Sequence, residues 1–200
     1  MSNEKLFWNK TAGIYNFIFA KKKNYRTMYN LISEHLNSSM TVLEVGTGPG
    51  LIAREICDSV KSVVATDFSD AMIEQAKKLN NADNIEYAVQ DASSLEYKDN
   101  SFDAVIIANV LHIVPNPEEI IKELKRVLRK GGIIIAPTFL WKEMNFFGRI
   151  KKTIMLRRKF PIYTKWDSSG FLKFLEQQGL QIINKKIIKS AFNICFVVCK

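Results

Sequence analysis

The chain has 200 residues, of which 47% are hydrophobic, and it carries a formal net charge of +9 at pH 7. This length supports one sizeable core, and no apolar run approaches the roughly 18–20 residues of a membrane-spanning helix. The first residues do not resemble a secretory signal, and the three cysteines lack metal-ligand spacing. We therefore expect one cytoplasmic domain with buried, reduced cysteines and predict no metal site.

The first 138 residues predict a helical segment followed by alternating strands and helices. Residues 1–40 read as helical and are rich in aromatic residues between Phe7 and Phe19. The strand candidates are 41–45, 62–67, 85–90, 102–109 and 132–138. Their nearly continuous apolar character is typical of parallel strands buried on both faces. Helices are predicted at about 69–79 and at 118–130, the second with Asn116 as its cap and Gly131 as its end.

The pattern changes after residue 138. A basic and aromatic insert, 141–166, precedes a predicted helix at 168–178 and two strands at 180–188 and 192–199. A short turn joins these last strands, which favours an antiparallel hairpin. We therefore divide the single domain 1–200 into four parts. They are an N-terminal helical lid (1–40), a cofactor-binding core (41–138), the insert (141–166) and a helix with a C-terminal β-hairpin (167–200).

The glycine-rich stretch VLEVGTGPG, residues 42–50, is the strongest local signal. A strand that runs into Gly46, Gly48 and Gly50 and then into a helix places backbone N–H groups where open α/β sheets bind ligands. Asp67 ends the next strand, where its carboxylate can accept hydrogen bonds from both ribose hydroxyls of a nucleoside. The alternative is structural: the glycines only form a tight turn, and Asp67 caps the next helix.

The same loop favours a nucleoside over a dinucleotide. The dehydrogenase fingerprint G-x-G-x-x-G requires glycine at position 51, which is leucine here. Pro49 also removes one N–H from the loop that would hold a pyrophosphate. A ligand without phosphate is not affected by that loss.

Five stretches in order resemble class I S-adenosylmethionine-dependent methyltransferases, of the type 11 group that includes ubiquinone and menaquinone biosynthesis methyltransferases. They are Val42–Gly50, Ala65–Met72, Gln90–Ala92, Phe102–Pro117 and Leu124–Ile135. The resemblance implies a three-layer, doubly wound α/β sandwich, the Rossmann-like methyltransferase fold. Its seven-stranded sheet is mostly parallel and has an antiparallel last strand, which agrees with the predicted hairpin.

The resemblance also implies S-adenosylmethionine as cofactor and a set of residues that bind it. They are Glu44, Gly46, Gly48, Gly50, Asp67, Phe68, Met72, Asp91, Ala92 and Asn109. The glycines would line the methionine and ribose portion, Phe68 and Met72 would pack on adenine, and Asp91 would accept from its amino group. For Glu44 two roles stay open. It supports either the glycine loop or the ammonium group of the cofactor, or it is a buried acid that caps backbone N–H groups. The alternative for Phe68 and Met72 is that they are ordinary core residues.

Methyl transfer from a sulfonium is an in-line displacement, so the protein mainly aligns the reactants and excludes water. A base is needed only if the acceptor loses a proton. His112 is the best-placed candidate base, with a hydrogen-bonded loop histidine as the alternative. The implied acceptor is a small, apolar or aromatic molecule. Its predicted pocket walls are Tyr15, Trp141, Phe146, Phe147 and Tyr163.

The insert 141–166 carries eight lysines and arginines against Glu143 alone, which accounts for +7 of the +9 net charge. It reads as a solvated lid, as a helix that touches anionic membrane to reach a lipid acceptor, or, least favoured, as an RNA contact. Two other classes compete with the methyltransferase, an NAD-dependent oxidoreductase and a non-catalytic cofactor-binding relative. The sequence leaves the acceptor atom and the oligomeric state open.

Overall fold

The computed structural model describes residues 3–19, 23–80, 82–157 and 160–200; the side chains of 3, 14–19, 151 and 154–157 lie outside the description. Eight strands form one sheet. They are β1 Thr41–Val45, β2 Ser62–Asp67, β3 Ile85–Val89, β4 Phe102–Ile107, β5 Leu128–Ile135, β6 Thr138–Met144, β7 Ile182–Ile188 and β8 Phe192–Cys199. Strands β3, β2, β1, β4 and β5 are parallel neighbours in that order, and β8 follows antiparallel to β5.

Within the described residues, seven α-helices accompany the sheet. They are α1 Asn3–Phe19, α2 Lys23–Ser33, α3 Leu51–Ile56, α4 Asp70–Leu79, α5 Pro117–Val127, α6 Phe146–Arg157 and α7 Ser168–Gln177. Alternate residues of β1 face opposite cores, as the two-residue period of a strand requires. Leu43 packs in the cluster that contains α5 and α7, whereas Val42 packs in the cluster that contains α2 and α3. The predicted three-layer α/β sandwich is confirmed.

The sheet has eight strands rather than the predicted seven because one long strand is broken. β5 and β6 both pair with the same edge of β8, since β7 occupies its other edge. Ala136, between the two segments, still donates its N–H to the Val197 carbonyl. Pro137 follows and has no N–H to donate. As predicted, β8 is the strand that runs against the others.

Helix α5 ends three residues earlier than the sequence predicts. The expected range was 118–130, but the helix ends at Val127 and β5 begins at Leu128. The N–H groups of Asn100 and Ser101 donate to the carbonyls of Arg126 and Val127, at 3.0 and 2.8 Å. These contacts satisfy the free carbonyls of the last turn before Gly131 is reached. At the other end, the Asn116 side chain does not make the expected capping bond.

The remaining predictions for local structure agree with the described residues. Helix α4 begins at Asp70, and the Ser69 hydroxyl accepts from the N–H of Met72 at 3.2 Å, which makes Ser69 its N-cap. Cys57, Cys195 and Cys199 are free and buried. Among the described helices, none combines the length and apolar character needed to cross a bilayer.

Candidate active site

A cavity of about 270 Å³ lies at the carboxyl ends of β1, β2 and β4. Open parallel sheets bind their ligands at this edge. Nine of the predicted site residues line it: Gly46, Gly48, Asp67, Phe68, Met72, Asp91, Ala92, Asn109 and His112. Two others, Glu44 and Gly50, do not line it. The sequence motifs therefore converge on one place in the fold.

The glycines of the loop have different roles. Gly46 and Gly48 have positive φ angles of 72° and 55° and face the cavity. A Cβ on Gly46 would lie 2.2 Å from Cγ2 of Val110, so no larger residue fits there. Gly50, with φ 75°, instead lies where a Cβ would be 2.9 Å from the Tyr87 hydroxyl. Gly50 does not line the cavity and instead makes the turn into α3 beside Tyr87.

Asp67 joins the glycine loop to the next helix. Its Oδ2 accepts from the Gly48 N–H at 2.8 Å, and its Oδ1 accepts from the Ser69 N–H at 2.9 Å. Burial raises the pKa of Asp67 to about 6, and the backbone hydrogen bonds from Ser69 and Gly48 oppose that rise. Each carboxylate oxygen keeps acceptor capacity for a second donor. Asp67 therefore fixes the loop and can still accept hydrogen bonds from the cavity.

Glu44 lies behind the loop rather than in the cavity. It is 2% exposed, and its Oε2 accepts from both the Thr47 hydroxyl at 2.7 Å and the Ala53 N–H at 3.0 Å. Burial raises the pKa of Glu44 to about 7, against the effect of these two hydrogen bonds. Ala53 belongs to the first turn of α3, so Glu44 ties the loop to that helix. These contacts match two functions predicted for Glu44, support of the glycine loop and capping of a backbone N–H group.

Three predicted adenine contacts lie at the ends of β2 and β3. Phe68 is partly exposed beside the cavity, and Lys5 of α1 sits 5.3 Å from the centre of its ring. Met72 is buried in the cavity wall. Asp91 is exposed, and its Oδ1 accepts from the Ser93 N–H and hydroxyl at 2.9 and 2.7 Å. These contacts hold the Asp91 carboxylate in one orientation at the cavity edge.

Asn109 and His112 follow β4. Asn109 has a positive φ of 58°, donates its N–H to the Pro137 carbonyl and is 8% exposed. Its buried Oδ1 has no hydrogen-bond partner among the described residues. His112 is buried, its Nδ1 lies 3.1 Å from the Thr138 hydroxyl, and burial lowers its pKa to about 3. The imidazole is therefore neutral at physiological pH.

Three aromatic residues form a wall of the cavity. It consists of Trp8 from α1, Phe139 from β6 and Phe160, all of which line the cavity. The rings of Trp8 and Phe160 meet edge to face with centroids 5.5 Å apart. This geometry is the favourable one for aromatic pairs. The wall is formed by parts of the chain far apart in sequence.

The predicted pocket walls whose side chains are described do not line this cavity. Trp141 is 1% exposed and lies behind the wall, 6.0 Å from Phe160 between ring centroids. Phe146 and Phe147 are exposed and do not line the cavity, and the Tyr163 hydroxyl instead donates to Glu4 of α1. The side chain of Tyr15, like Arg158 and Lys159 of the insert, lies outside the described residues.

Helix α1 contributes Glu4 and Trp8 to the lining of the cavity. Lys5 forms a salt bridge of 2.8 Å with Asp70, and the Ser69 hydroxyl donates to Asn9. The sequence indicated an aromatic lid between residues 7 and 19 but did not single out Trp8. Phe139 and Phe160 were also missed, because their place in the site depends on how β6 and the segment after α6 return to the sheet edge. The interleaved aromatics of the insert were the only local signal.

The residues around the cavity fit an aminoacyl nucleoside such as S-adenosylmethionine. Asp67 and Asp91 supply carboxylates for hydroxyl and amino donors, and the buried Oδ1 of Asn109 supplies an acceptor that the protein leaves unpaired in the described structure. Gly46 and Gly48 allow a ligand to approach the backbone closely. The same cavity is also lined by the aromatic residues Trp8, Phe139 and Phe160.

Comparison with known proteins agrees with this site. Residues 43–136 match the protein family described as "Methyltransferase domain". The demethylmenaquinone methyltransferase of Staphylococcus epidermidis is 30% identical over 190 residues, which cover 85% of this chain and 78% of that protein. The phosphatidylethanolamine N-methyltransferase of Cereibacter sphaeroides is 29% identical over 150 residues, 72% of each chain. Against several other relatives, the match spans only 31–53% of their length.

The fold has close counterparts among solved structures. The complex between the Haloferax volcanii Trm112 methyltransferase activator and a methyltransferase contains a chain that superposes with a TM-score of 0.80. The superposition covers 96% of both chains at 16% identity, so it supports the fold alone. Together with the extended similarity to the S. epidermidis enzyme, these findings show that the chain belongs to the class I S-adenosylmethionine-dependent methyltransferases.

Proposed function

We propose that this protein transfers the methyl group of S-adenosylmethionine to a small acceptor that carries an apolar or aromatic ring. One observation carries the proposal: a single cavity joins the polar groups of the glycine loop and Asp67 to the aromatic wall of Trp8, Phe139 and Phe160. The polar side suits the cofactor, and the wall suits a flat apolar acceptor, since aromatic side chains favour stacked or edge-to-face ring contacts.

The residues of the chain would bind the cofactor, orient the two reactants and exclude water. When bound, S-adenosylmethionine supplies a methyl group on a positively charged sulfur, which is already activated for displacement. Asp67 would hold the ribose hydroxyls while its contacts with Gly48 and Ser69 keep the loop in place. Helix α1 and the aromatic wall would keep water out and the acceptor aligned, which are the main contributions that such a displacement needs.

His112 would position the acceptor rather than act as a strong base. Thr138 contacts Nδ1 of His112, so Nε2 stays available for another contact. His112 also lines the cavity. A pKa lowered to about 3 by burial makes the imidazole a weak proton acceptor but leaves it neutral and able to accept a hydrogen bond. A hydroxyl or amino group on the acceptor would donate to this nitrogen and so be held towards the methyl group.

The relatives named above suggest the first acceptors to test, demethylmenaquinone and phosphatidylethanolamine. Transfer of a labelled methyl group to each would be measured in detergent, and calorimetry with S-adenosylhomocysteine and with NADH would establish the cofactor separately. We expect S-adenosylhomocysteine to bind, NADH not to bind, and the ring-containing acceptor to be methylated. Binding of S-adenosylhomocysteine without transfer to any acceptor would favour the non-catalytic relative. Binding of NADH alone would refute the proposal.

A further inference from the structure

Helix α6 carries an exposed apolar group that the cavity does not use. Phe146, Phe147 and Ile150 are 71%, 68% and 47% exposed, and none of them lines the cavity. A lid over a soluble acceptor would turn such side chains towards its ligand. Contiguous exposed apolar side chains usually mark a surface that meets a partner or a membrane.

The orientation of α6 explains this exposure. Gly148 faces the protein, because a Cβ there would lie 2.0 Å from the Ala191 carbonyl oxygen in the turn between β7 and β8. At about 100° per residue, Phe146 and Ile150 lie on the opposite side of the helix. Phe147 lies beside them, and the rings of Phe146 and Phe147 meet edge to face at 5.9 Å. The aromatic pair is thus held outwards by the way the helix is anchored.

The helix also lies at the end of the molecule where the cavity is found. β6 continues in the direction of β5, so Met144 carries the chain beyond the carboxyl edge of the parallel strands. α6 begins two residues later, and after it the chain returns to the cavity at Phe160. A surface that docked on Phe146 and Phe147 would therefore adjoin the aromatic wall of the site.

The charge around the apolar group is positive. Arg149 is exposed on α6, and Lys189 is exposed in the turn that contacts Gly148. Both belong to a chain whose excess of positive charge lies mostly in the segment 141–166. Apolar side chains bordered by cations are typical of helices that lie in the interface of an anionic bilayer.

We propose that α6 docks on an anionic membrane, with Phe146, Phe147 and Ile150 entering the interface, so that the acceptor reaches the aromatic wall from the lipid phase. This inference rests on the proposed methyl transfer and names where its acceptor comes from. RNA is the competing anionic partner for the same cations. The exposed apolar side chains of the helix favour the membrane. Contacts to the RNA backbone depend on cations and do not require apolar side chains.

Co-sedimentation with vesicles tests the inference. Vesicles of phosphatidylcholine with about one third phosphatidylglycerol should pellet the protein, whereas pure phosphatidylcholine should not, because attachment needs the anionic surface. The double change Phe146→Ser and Phe147→Ser should lower the apparent affinity at least about tenfold, through loss of apolar burial. Arg149→Glu with Lys189→Glu should lower it by at least about twentyfold, at about fivefold for each cation.

A matched control tests whether the change in net charge alone explains the loss of vesicle binding. Lys98→Glu with Lys130→Glu makes the same change in net charge at exposed positions near the amino ends of β4 and β5, the opposite edge of the sheet. This control variant should pellet nearly as the wild type does. Each variant would first be checked by circular dichroism and by calorimetry with S-adenosylhomocysteine, which should be unchanged because none of these residues lines the cavity.

Three outcomes would overturn the membrane inference. In the first, the wild type stays in the supernatant at low salt. In the second, the Phe146 and Phe147 variant pellets like the wild type. In the third, the protein binds a short single-stranded RNA more tightly than the vesicles, and this RNA displaces it from them. If cofactor binding and transfer to detergent-dispersed acceptor persist in those cases, the proposed function stands without the membrane. Vesicle binding without S-adenosylhomocysteine binding would refute the proposed function instead.

Discussion

Glu44→Gln should remove a measurable part of the pH dependence of folding stability. The Glu44 carboxyl is almost fully buried, and burial raises its pKa from 4.5 to about 7. A group whose pKa is higher in the folded than in the unfolded state stabilises the fold below the unfolded value. That contribution is lost as the pH rises through the folded value. The Glu44 contribution to the stability of the wild type is therefore lost between pH 4.5 and about pH 7.

The size of the effect follows from the shift. One pKa unit corresponds to about 1.4 kcal/mol, so the change from 4.5 to about 7 amounts to about 3 kcal/mol in the free energy of unfolding. Glutamine can keep both hydrogen bonds, because the Thr47 hydroxyl and the Ala53 N–H donate to the same oxygen of Glu44. The variant should thus lack the titration while it retains the contacts that hold the glycine loop.

Urea unfolding at pH 5 and pH 8, followed by circular dichroism, measures the difference. Relative to the wild type, the Glu44→Gln variant should become more stable by about 3 kcal/mol on going from pH 5 to pH 8. Glu55→Gln, an exposed change on α3, serves as control and should follow the wild type. Parallel pH profiles of the wild type and the Glu44→Gln variant would show that Glu44 does not titrate as its burial requires.

Three further predictions concern ligand binding. Asp67→Asn should weaken S-adenosylhomocysteine binding by about 1.5–3 kcal/mol in calorimetry, the scale of hydrogen bonds to a charged group; unchanged affinity would exclude Asp67 from the site. Gly46→Val should abolish binding, since its side chain would overlap Val110 and its φ is positive; a folded variant that binds normally would limit the loop to packing. Trp8→Ala should raise the KM for the acceptor at least about tenfold while cofactor affinity stays the same; an equal loss of both would place Trp8 at the cofactor.

The glycine-loop part of the candidate site could be predicted from the sequence because it is local. Asp67 and Asn109 follow buried strands whose apolar runs are continuous, and the parallel order brings the ends of those strands to one edge. A motif at a strand end therefore predicts a position in space. The exceptions are Glu44 and Gly50, which do not line the cavity; Glu44 lies behind the loop, and Gly50 lies against Tyr87.

The aromatic wall could not be predicted because tertiary contacts decide it. Trp8 and Phe160 meet only after α1 and the segment beyond α6 have folded over the sheet edge. Phe146 and Phe147 have the composition of a pocket wall, yet the close approach of Gly148 to Ala191 turns them outwards. The early end of α5 has the same origin, since the residues that terminate it lie in another part of the chain.

The break between β5 and β6 has a consequence for how such enzymes diversify. β5, which ends at Ile135, pairs with β4 of the parallel part of the sheet. Beyond Pro137, β6 pairs with β8 and leads to Phe139, α6 and Phe160. Substitutions, insertions or a whole exchange of residues 138–166 would alter Phe139 and Phe160 of the aromatic wall while leaving the strands that carry Asp67 and the glycine loop untouched. A lineage could acquire new acceptors by changing one contiguous stretch of its gene, without having to rebuild recognition of the methyl donor.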